Sequence, residues 1–287
     1  VKLALLVLAA CHGGEPTLEV GQHTRSYRLF VPTDKPGMPL VIVLHGGNGT
    51  GRQMEQWLAW DGLAASEQFV VAYPDGIDHH WNDGRPGRNS GADDVGFVAG
   101  LIDELATRYQ IDRARVYVTG MSNGGIMSYR LGCELADRIA AIAPVAGDLA
   151  QALATSCHPA RPISVLAIHG TDDPLVPYGG GESPQQSGLV LSEADSTRLL
   201  ATGAGCGPPR EPVDLPDRDP ADGTRAHALD YDCPPPLAVR LVTIDGGGHT
   251  WPGASQYLPK LVIGRVSRDF DATAMIWQFF VEHGRRP

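Results

Sequence analysis

Positive charge is scarce in this chain. Its 287 residues carry 23 Lys and Arg against 33 Asp and Glu, a formal net charge of −10. That balance excludes a nucleic-acid binder, which needs a basic footprint to meet phosphates. Long apolar runs are also missing. No stretch approaches the ~20 residues that a membrane-spanning helix requires. Aromatic residues are only 7% of the chain, so a tryptophan on a loop calls for an explanation. No two cysteines lie two to four residues apart, which argues against a zinc knuckle or finger. Internal repeats are absent. The 35 glycines and 23 prolines show no period, so they read as turns and long loops on a packed scaffold rather than as a fibre or a disordered chain.

What is present begins with a processing signal. Lys2 precedes the apolar run 3–10 and Cys11. The run is too short to span a bilayer and has the layout of an export signal. Leu8-Ala9-Ala10-Cys11 resembles a bacterial lipobox, so residues 1–10 are expected to be a signal peptide and Cys11 a lipidation site that anchors an exported chain. Residues 11–287 are then expected to be one catalytic domain. Four cysteines remain: Cys133, Cys157, Cys206 and Cys233. An even number in an exported chain implies two disulfides with three possible connectivities. The local pairing Cys133–Cys157 and Cys206–Cys233 is preferred, because each pair brackets one supersecondary segment.

Short apolar runs ending in glycine or a turn recur at 40–44, 69–72, 116–119, 139–144, 163–168 and 239–244. Continuous runs with β-branched residues suit strands buried on both faces of a parallel sheet. Helical patterns alternate with them. Phe97, Val98, Leu101, Ile102 and Leu105 share one face, with Asp93 or Asp94 placed as a cap. Residues 126–135 and 272–281 are further helices. This alternation predicts an α/β fold, with a mainly parallel central sheet flanked by helices. Residues 25–31 alternate and read as an antiparallel edge strand. Residues 177–236 are rich in Gly, Pro, Ser and Asp, with one helix candidate at 192–200. They read as a loop-rich excursion, too long for an ordinary connection. Within it, residues 217–223 faintly resemble a calcium loop. The register is wrong and no terminal glutamate follows, so they read as a turn between strands.

Gly120-Met121-Ser122-Asn123-Gly124 follows one of the strands and opens a helix, the pattern of a nucleophile elbow. A serine nucleophile needs a base, and the base needs an orienting acid, in the chain order Ser, acid, His. His249 lies in a glycine-rich loop after the strand at 239–244. The loop after His169 supplies the acid: Asp173 is the first choice and Asp172 the alternative. His169 itself reads as structural. Two N–H donors are needed for an oxyanion. The amide of Asn123 is one, and the turn Gly46-Gly47-Asn48-Gly49 offers the other through Gly47, with Asn48 as its neighbour. That turn lacks the Gly-Lys-Ser/Thr of a phosphate-binding loop.

The motifs LHGG at 44–47, YPDG at 73–76, WNDG at 81–84, DDVGFV at 93–98, GMSNGG at 120–125, APVAG at 143–147, HGTDDPLVPY at 169–178 and GGGHTWPG at 246–253 occur in order. Together they resemble the feruloyl-esterase and polyhydroxybutyrate-depolymerase-type esterases of the α/β-hydrolase superfamily, related to carbohydrate esterase family one. The resemblance covers nearly the whole chain after residue 11. It implies the α/β-hydrolase fold, the triad Ser122–Asp173–His249, and an acyl-enzyme mechanism without metal or cofactor. It also supports the local cysteine pairing, and it places the loop of Trp81 and Asn82 near the pocket.

Trp81 could stack on an aromatic acyl group or a polyester unit, or pin its loop to the core. Asn82, Asn48 and Trp251 are further substrate-contact candidates, with packing the stronger reading for Trp251. Asp78, His79, His80 and Asp83 have metal-ligand chemistry, but adjacent histidines point apart and no metal site is expected. The leading expectation is a secreted, monomeric serine esterase acting on hydroxycinnamate or acetyl esters of plant cell walls. The rival keeps the triad and cleaves a polyester, natural or synthetic. A peptidase would need an element that selects peptides, which is not evident. A reading from another class is a catalytically inactive, surface-binding lipoprotein.

Overall fold

The computed structural model describes residues 15–87, 91–183 and 188–284. The expected signal peptide and Cys11 lie outside the described residues. Twelve strands occur among those described: β1 Thr17–Val20, β2 His23–Phe30, β3 Leu40–Leu44, β4 Val70–Pro74, β5 Val116–Met121, β6 Ala141–Val145, β7 Ser164–Gly170, β8 Gly181–Glu182, β9 Leu189–Val190, β10 Val213–Asp214, β11 Arg225–Asp230 and β12 Val239–Asp245. The helices are α1 Gly51–Trp57, α2 Trp60–Glu67, α3 Asp94–Tyr109, α4 Asn123–Glu134, α5 Glu193–Gly203, α6 Lys260–Ile263 and α7 Ala272–His283.

Ten strands form one sheet in the order β1-β2-β4-β3-β5-β6-β7-β12-β11-β10. The block from β4 to β12 is parallel, and the flanking strands are antiparallel. The reason lies in the strand sequences. Each of β3 to β7 is apolar at nearly every position, and alternate residues enter opposite layers. Leu40, Ile42 and Leu44 pack with Phe97, Leu101, Met127 and Leu131 of α3 and α4. Val41 and Val43 pack on the other face with Met54, Trp60, Ile276 and Phe280 of α1, α2 and α7. The result is a three-layer α/β/α sandwich, in which the parallel strands present their carboxyl ends along one edge.

Two disulfides brace it, Cys133–Cys157 and Cys206–Cys233, the pairing preferred from sequence. They span 24 and 27 positions, loops whose closure is worth roughly 3 kcal/mol each on chain entropy. The first ties the end of α4 to the segment before β7, and the second ties the end of α5 to that after β11.

Two expectations need correction. The segment at 25–31 is antiparallel, as β2, but not an edge: β1 covers its outer side by pairing Leu18 with Arg25 and Glu19 with Thr24. The excursion at 177–236 is only partly loop. It contributes a small hairpin of β8 and β9, the capped helix α5, and then β10 and β11, which extend the main sheet beyond β12. The segment 217–223 is a turn between β10 and β11. Asp222 there accepts hydrogen bonds from the Thr224 amide and hydroxyl, both at 2.7 Å.

Candidate active site

Ser122 sits between β5 and α4 with φ 59° and ψ −124°, a conformation costly for a residue with a side chain. The sharp turn is possible because its neighbours lack side chains. A Cβ on Gly124 would lie 2.5 Å from the Leu44 carbonyl oxygen, and one on Gly120 would lie 2.6 Å from the Gly124 oxygen. The turn is locked by the Ser122 amide donating to Val145 O at 2.9 Å. The serine remains half-buried at the N-terminus of α4, where the helix dipole favours negative charge. Gly46 of the turn after β3 passes beside it; a Cβ there would be 3.4 Å from the Ser122 Cβ.

Asp173 and His249 leave the carboxyl ends of the adjacent strands β7 and β12. His249 Nδ1 is 2.7 Å from Asp173 Oδ2, and both residues are buried. The amides of Leu175 and Val176 donate to Asp173 Oδ1, each at 2.8 Å. Burial pushes this carboxyl up, but His249 and His169 outweigh it and hold its pKa well below the usual carboxylate range. The His249 loop is tied down in turn: its amide donates to Ile263 O at 2.6 Å, and the Tyr257 hydroxyl donates to its carbonyl at 3.2 Å. Asp172 points instead to solvent, 4.0 Å from Arg265 Nη1. No hydrogen bond joins Ser122 Oγ to His249 in this resting arrangement.

The amides of Asn123 and Gly47 have no acceptor among the described residues, which leaves them available as donors. Gly47 lies near Asn123: a Cβ on the glycine would be 3.9 Å from the Asn123 Cβ and 3.3 Å from His80 Nε2. The neighbouring amide of Asn48 is already committed to His79 O at 2.9 Å, so Asn48 cannot supply the second donor. Its side chain stays exposed.

For the two tryptophans the burial favours the packing reading weighed from sequence. Trp81 is 1% exposed, with its indole N–H donating to His45 O at 2.9 Å. Trp251 is equally buried, and its indole donates to Thr273 Oγ1 at 3.1 Å. Both rings are packed in the core. Asn82 is also buried. Its amide donates to Asp94 Oδ2 at 2.6 Å and its side chain to Ala92 O at 2.7 Å, so it organises the loop before α3. Residues not singled out from sequence hold the oxyanion turn. His45 Nδ1 is 2.7 Å from Gly46 O, its Nε2 accepts from the Gly76 amide at 2.9 Å, and its ring packs on Trp81. Asp83, weighed only as a metal ligand, accepts from Asn123 Nδ2 at 2.6 Å and pairs with Arg85.

Behind Asp173 lies a buried polar cluster. His169 Nδ1 is 2.8 Å from Asp148 Oδ1 and 2.9 Å from Glu193 Oε2, and its Nε2 is 3.1 Å from Asp173 Oδ2. The Tyr129 hydroxyl donates to Glu193 Oε1. Asp148, His169 and Glu193 are the one group among the described residues with donor atoms close enough to hold a metal ion. The same distances are those of a protonated imidazole donating to its neighbours. Asp78 and His79, the candidates from sequence, are exposed at a turn and do not belong to that group.

Comparison with known proteins gives the family and the fold. A family model described as "Esterase PHB depolymerase" matches residues 25–168. The Nocardia uniformis subsp. tsuyamanensis protein NocK, named as an esterase, is 31% identical over 87% of this chain and 77% of its own. Feruloyl esterase B of Piromyces equi is 34% identical over 76% of this chain, which spans 40% of that protein's length. Among solved structures, the acetyl xylan esterase from Aspergillus awamori superposes with a TM-score of 0.60, covering 90% of this chain and 94% of that one at 14% identity. That last likeness shows the shared fold.

Proposed function

The chain belongs to the esterase family of the polyhydroxybutyrate depolymerases, and from that premise we propose that Ser122, His249 and Asp173 cleave carboxylic esters by way of an acyl-enzyme. The observation that carries this reading is the 2.7 Å contact of Asp173 with His249 Nδ1, which leaves Nε2 as the base, together with the strained serine at the elbow. His249 takes the Ser122 proton as the oxygen attacks the ester carbonyl. The oxyanion rests on the amides of Asn123 and Gly47. His249 then protonates the leaving alcohol, and water, activated the same way, frees the acid. The substrate class is a feruloyl or acetyl ester of plant cell-wall polysaccharide, in line with the relative from Piromyces equi named feruloyl esterase B. Two disulfides fit an extracellular setting; residues 1–10 serve as the export signal and Cys11 as the lipid site.

A second reading, polyester hydrolysis, is favoured by one observation. Tyr257, Leu258, Leu261 and Val262 form an exposed apolar strip, with Leu261 fully exposed, on the segment that holds His249. Hydrolysis of methyl ferulate, p-nitrophenyl acetate and a polyester film by wild type and Ser122→Ala decides the matter. Ferulate turnover that vanishes in the variant supports the plant-wall ester. Turnover confined to the acetate and the film moves the assignment to polyester. Equal rates from both proteins remove Ser122 as the nucleophile.

A further inference from the structure

We propose that His169 is a positioning residue for catalysis: clamped by Asp148 and Glu193, it shares Asp173 Oδ2 with His249 and limits how strongly that carboxylate can stabilise a protonated His249. The proposal rests on the triad reading above.

Geometry carries it. Asp173 Oδ2 faces two imidazoles, His249 Nδ1 at 2.7 Å and His169 Nε2 at 3.1 Å. Its Oδ1 takes two backbone amides. Four donors leave the carboxylate no freedom to rotate. His169 meets acceptors at both ends: Asp148 and Glu193 oxygens at Nδ1, and Asp173 Oδ2 and Val176 O at Nε2. A neutral imidazole donates from one nitrogen only, so this arrangement calls for the imidazolium. The side chains of His169, Asp148 and Asp173 are wholly buried and that of Glu193 almost so, which strengthens the interaction between their charges.

The electrostatics agree. Burial opposes a charged His169, but Asp148, Asp173 and Glu193 outweigh it and hold the imidazole pKa well above its usual value. Burial pushes the Asp148 carboxyl above the usual carboxylate range, and the His169 cation beside it pulls the other way. For Glu193 the hydrogen bonds from Asp148, His169 and Tyr129 overcome burial and keep it ionised. The other polar groups facing the cluster are the Tyr178 ring, edge-on to His169 at 5.7 Å with its hydroxyl at 2.8 Å from Thr243 Oγ1 of β12, and Tyr257 over the His249 carbonyl. Exposed Asp172 and Arg265 lie outside it. A cation touching Asp173 cancels part of the charge that His249 feels.

The test is the pH profile of kcat/KM for p-nitrophenyl acetate, measured on the full chain. In His169→Gln the acid limb should move up by roughly half a pH unit or more, and kcat should fall roughly ten-fold with KM within about two-fold. The double variant His169→Gln/Glu193→Gln, which also removes the anion left unpaired, should move the limb the same way. The position of a limb does not depend on how much enzyme is folded, so a merely structural role would lower the rate and leave the limb in place. That result would overturn the proposal. Wild type supplies a measurement that needs no variant: ¹⁵N-histidine spectra should contain one imidazole protonated on both nitrogens that does not titrate from pH 5 to 9. A neutral His169, or one metal ion per chain bound at this cluster, would also overturn it. Undiminished turnover in Ser122→Ala would instead sink the triad reading itself.

Discussion

Trp81 and Asn123 exchange two hydrogen bonds. The Trp81 amide donates to Asn123 Oδ1 at 2.7 Å, and Asn123 Nδ2 donates back to Trp81 O at 3.1 Å. The residue whose amide is the proposed oxyanion donor is therefore held by the loop at 81–84, which Asp83 and Arg85 brace in turn. On the proposed mechanism the tryptophan's part is to fix that donor.

Asn123→Ala keeps the amide and loses the pair. Its orientation should loosen, lowering kcat by roughly 10- to 100-fold with little change in KM. Steady-state kinetics on p-nitrophenyl acetate measure both. A KM effect alone would place Asn123 in substrate binding rather than in oxyanion positioning.

The two aspartates after β7 make opposite predictions. Asp173→Asn leaves the His249 tautomer unsupported and should cost about 10⁴-fold in kcat. Asp172→Asn, at an exposed side chain 4.0 Å from Arg265, should change kcat by less than about two-fold. The low pKa of Asp173 adds a pH consequence. Its carboxylate stays ionised through the acid range, so loss of activity on acidification should follow protonation of an imidazole. A limb that tracks an ordinary carboxylate would contradict this.

Much of this was legible in the sequence, and what was not has a common cause. The runs at 40–44 and 116–119 read correctly because strands buried on both faces have no polar positions. Asp173 and His249 followed from chain order and from the loops they occupy. Strand β11 did not, because Arg225-Ala226-His227-Ala228 is short, polar on one side and buried only by alanines on the other. Trp81 was left open between two readings because the groups that hold it, the His45 carbonyl and the Asn123 side chain, lie 36 and 42 positions away. The partners of His169 come from the segment after β6 and from α5, and no local pattern announces their meeting.

The apolar strip beside His249 separates the two substrate readings. Leu261→Ser with Val262→Ser removes exposed apolar surface without touching the core. If a polymer surface docks there, film hydrolysis should fall by roughly five-fold, the equivalent of about 1 kcal/mol, while p-nitrophenyl acetate turnover stays within about two-fold. Equal, unchanged rates on both would leave the strip without a part in recognition.

His45 gives the fold an acid sensitivity close to the oxyanion turn. Its ring is wholly buried, and burial pulls its pKa from the usual 6.5 down to about 4. Neutral, it can donate to Gly46 O from Nδ1 and accept the Gly76 amide at Nε2. Protonated, it has a donor at both ends and the second contact becomes a repulsion. The sign follows from which state takes up the proton first. Between about pH 6.5 and 4 the unfolded chain binds a proton that the native chain resists. The stability owed to this group is therefore complete above about pH 6.5 and is lost as the pH falls toward 4, on the order of 3 kcal/mol in all. Urea denaturation of wild type and His45→Gln at pH 7 and pH 4.5 should show a smaller loss in the variant by roughly 2–3 kcal/mol, even though the variant starts weaker. Parallel losses in the two proteins would mean that another group carries the acid sensitivity.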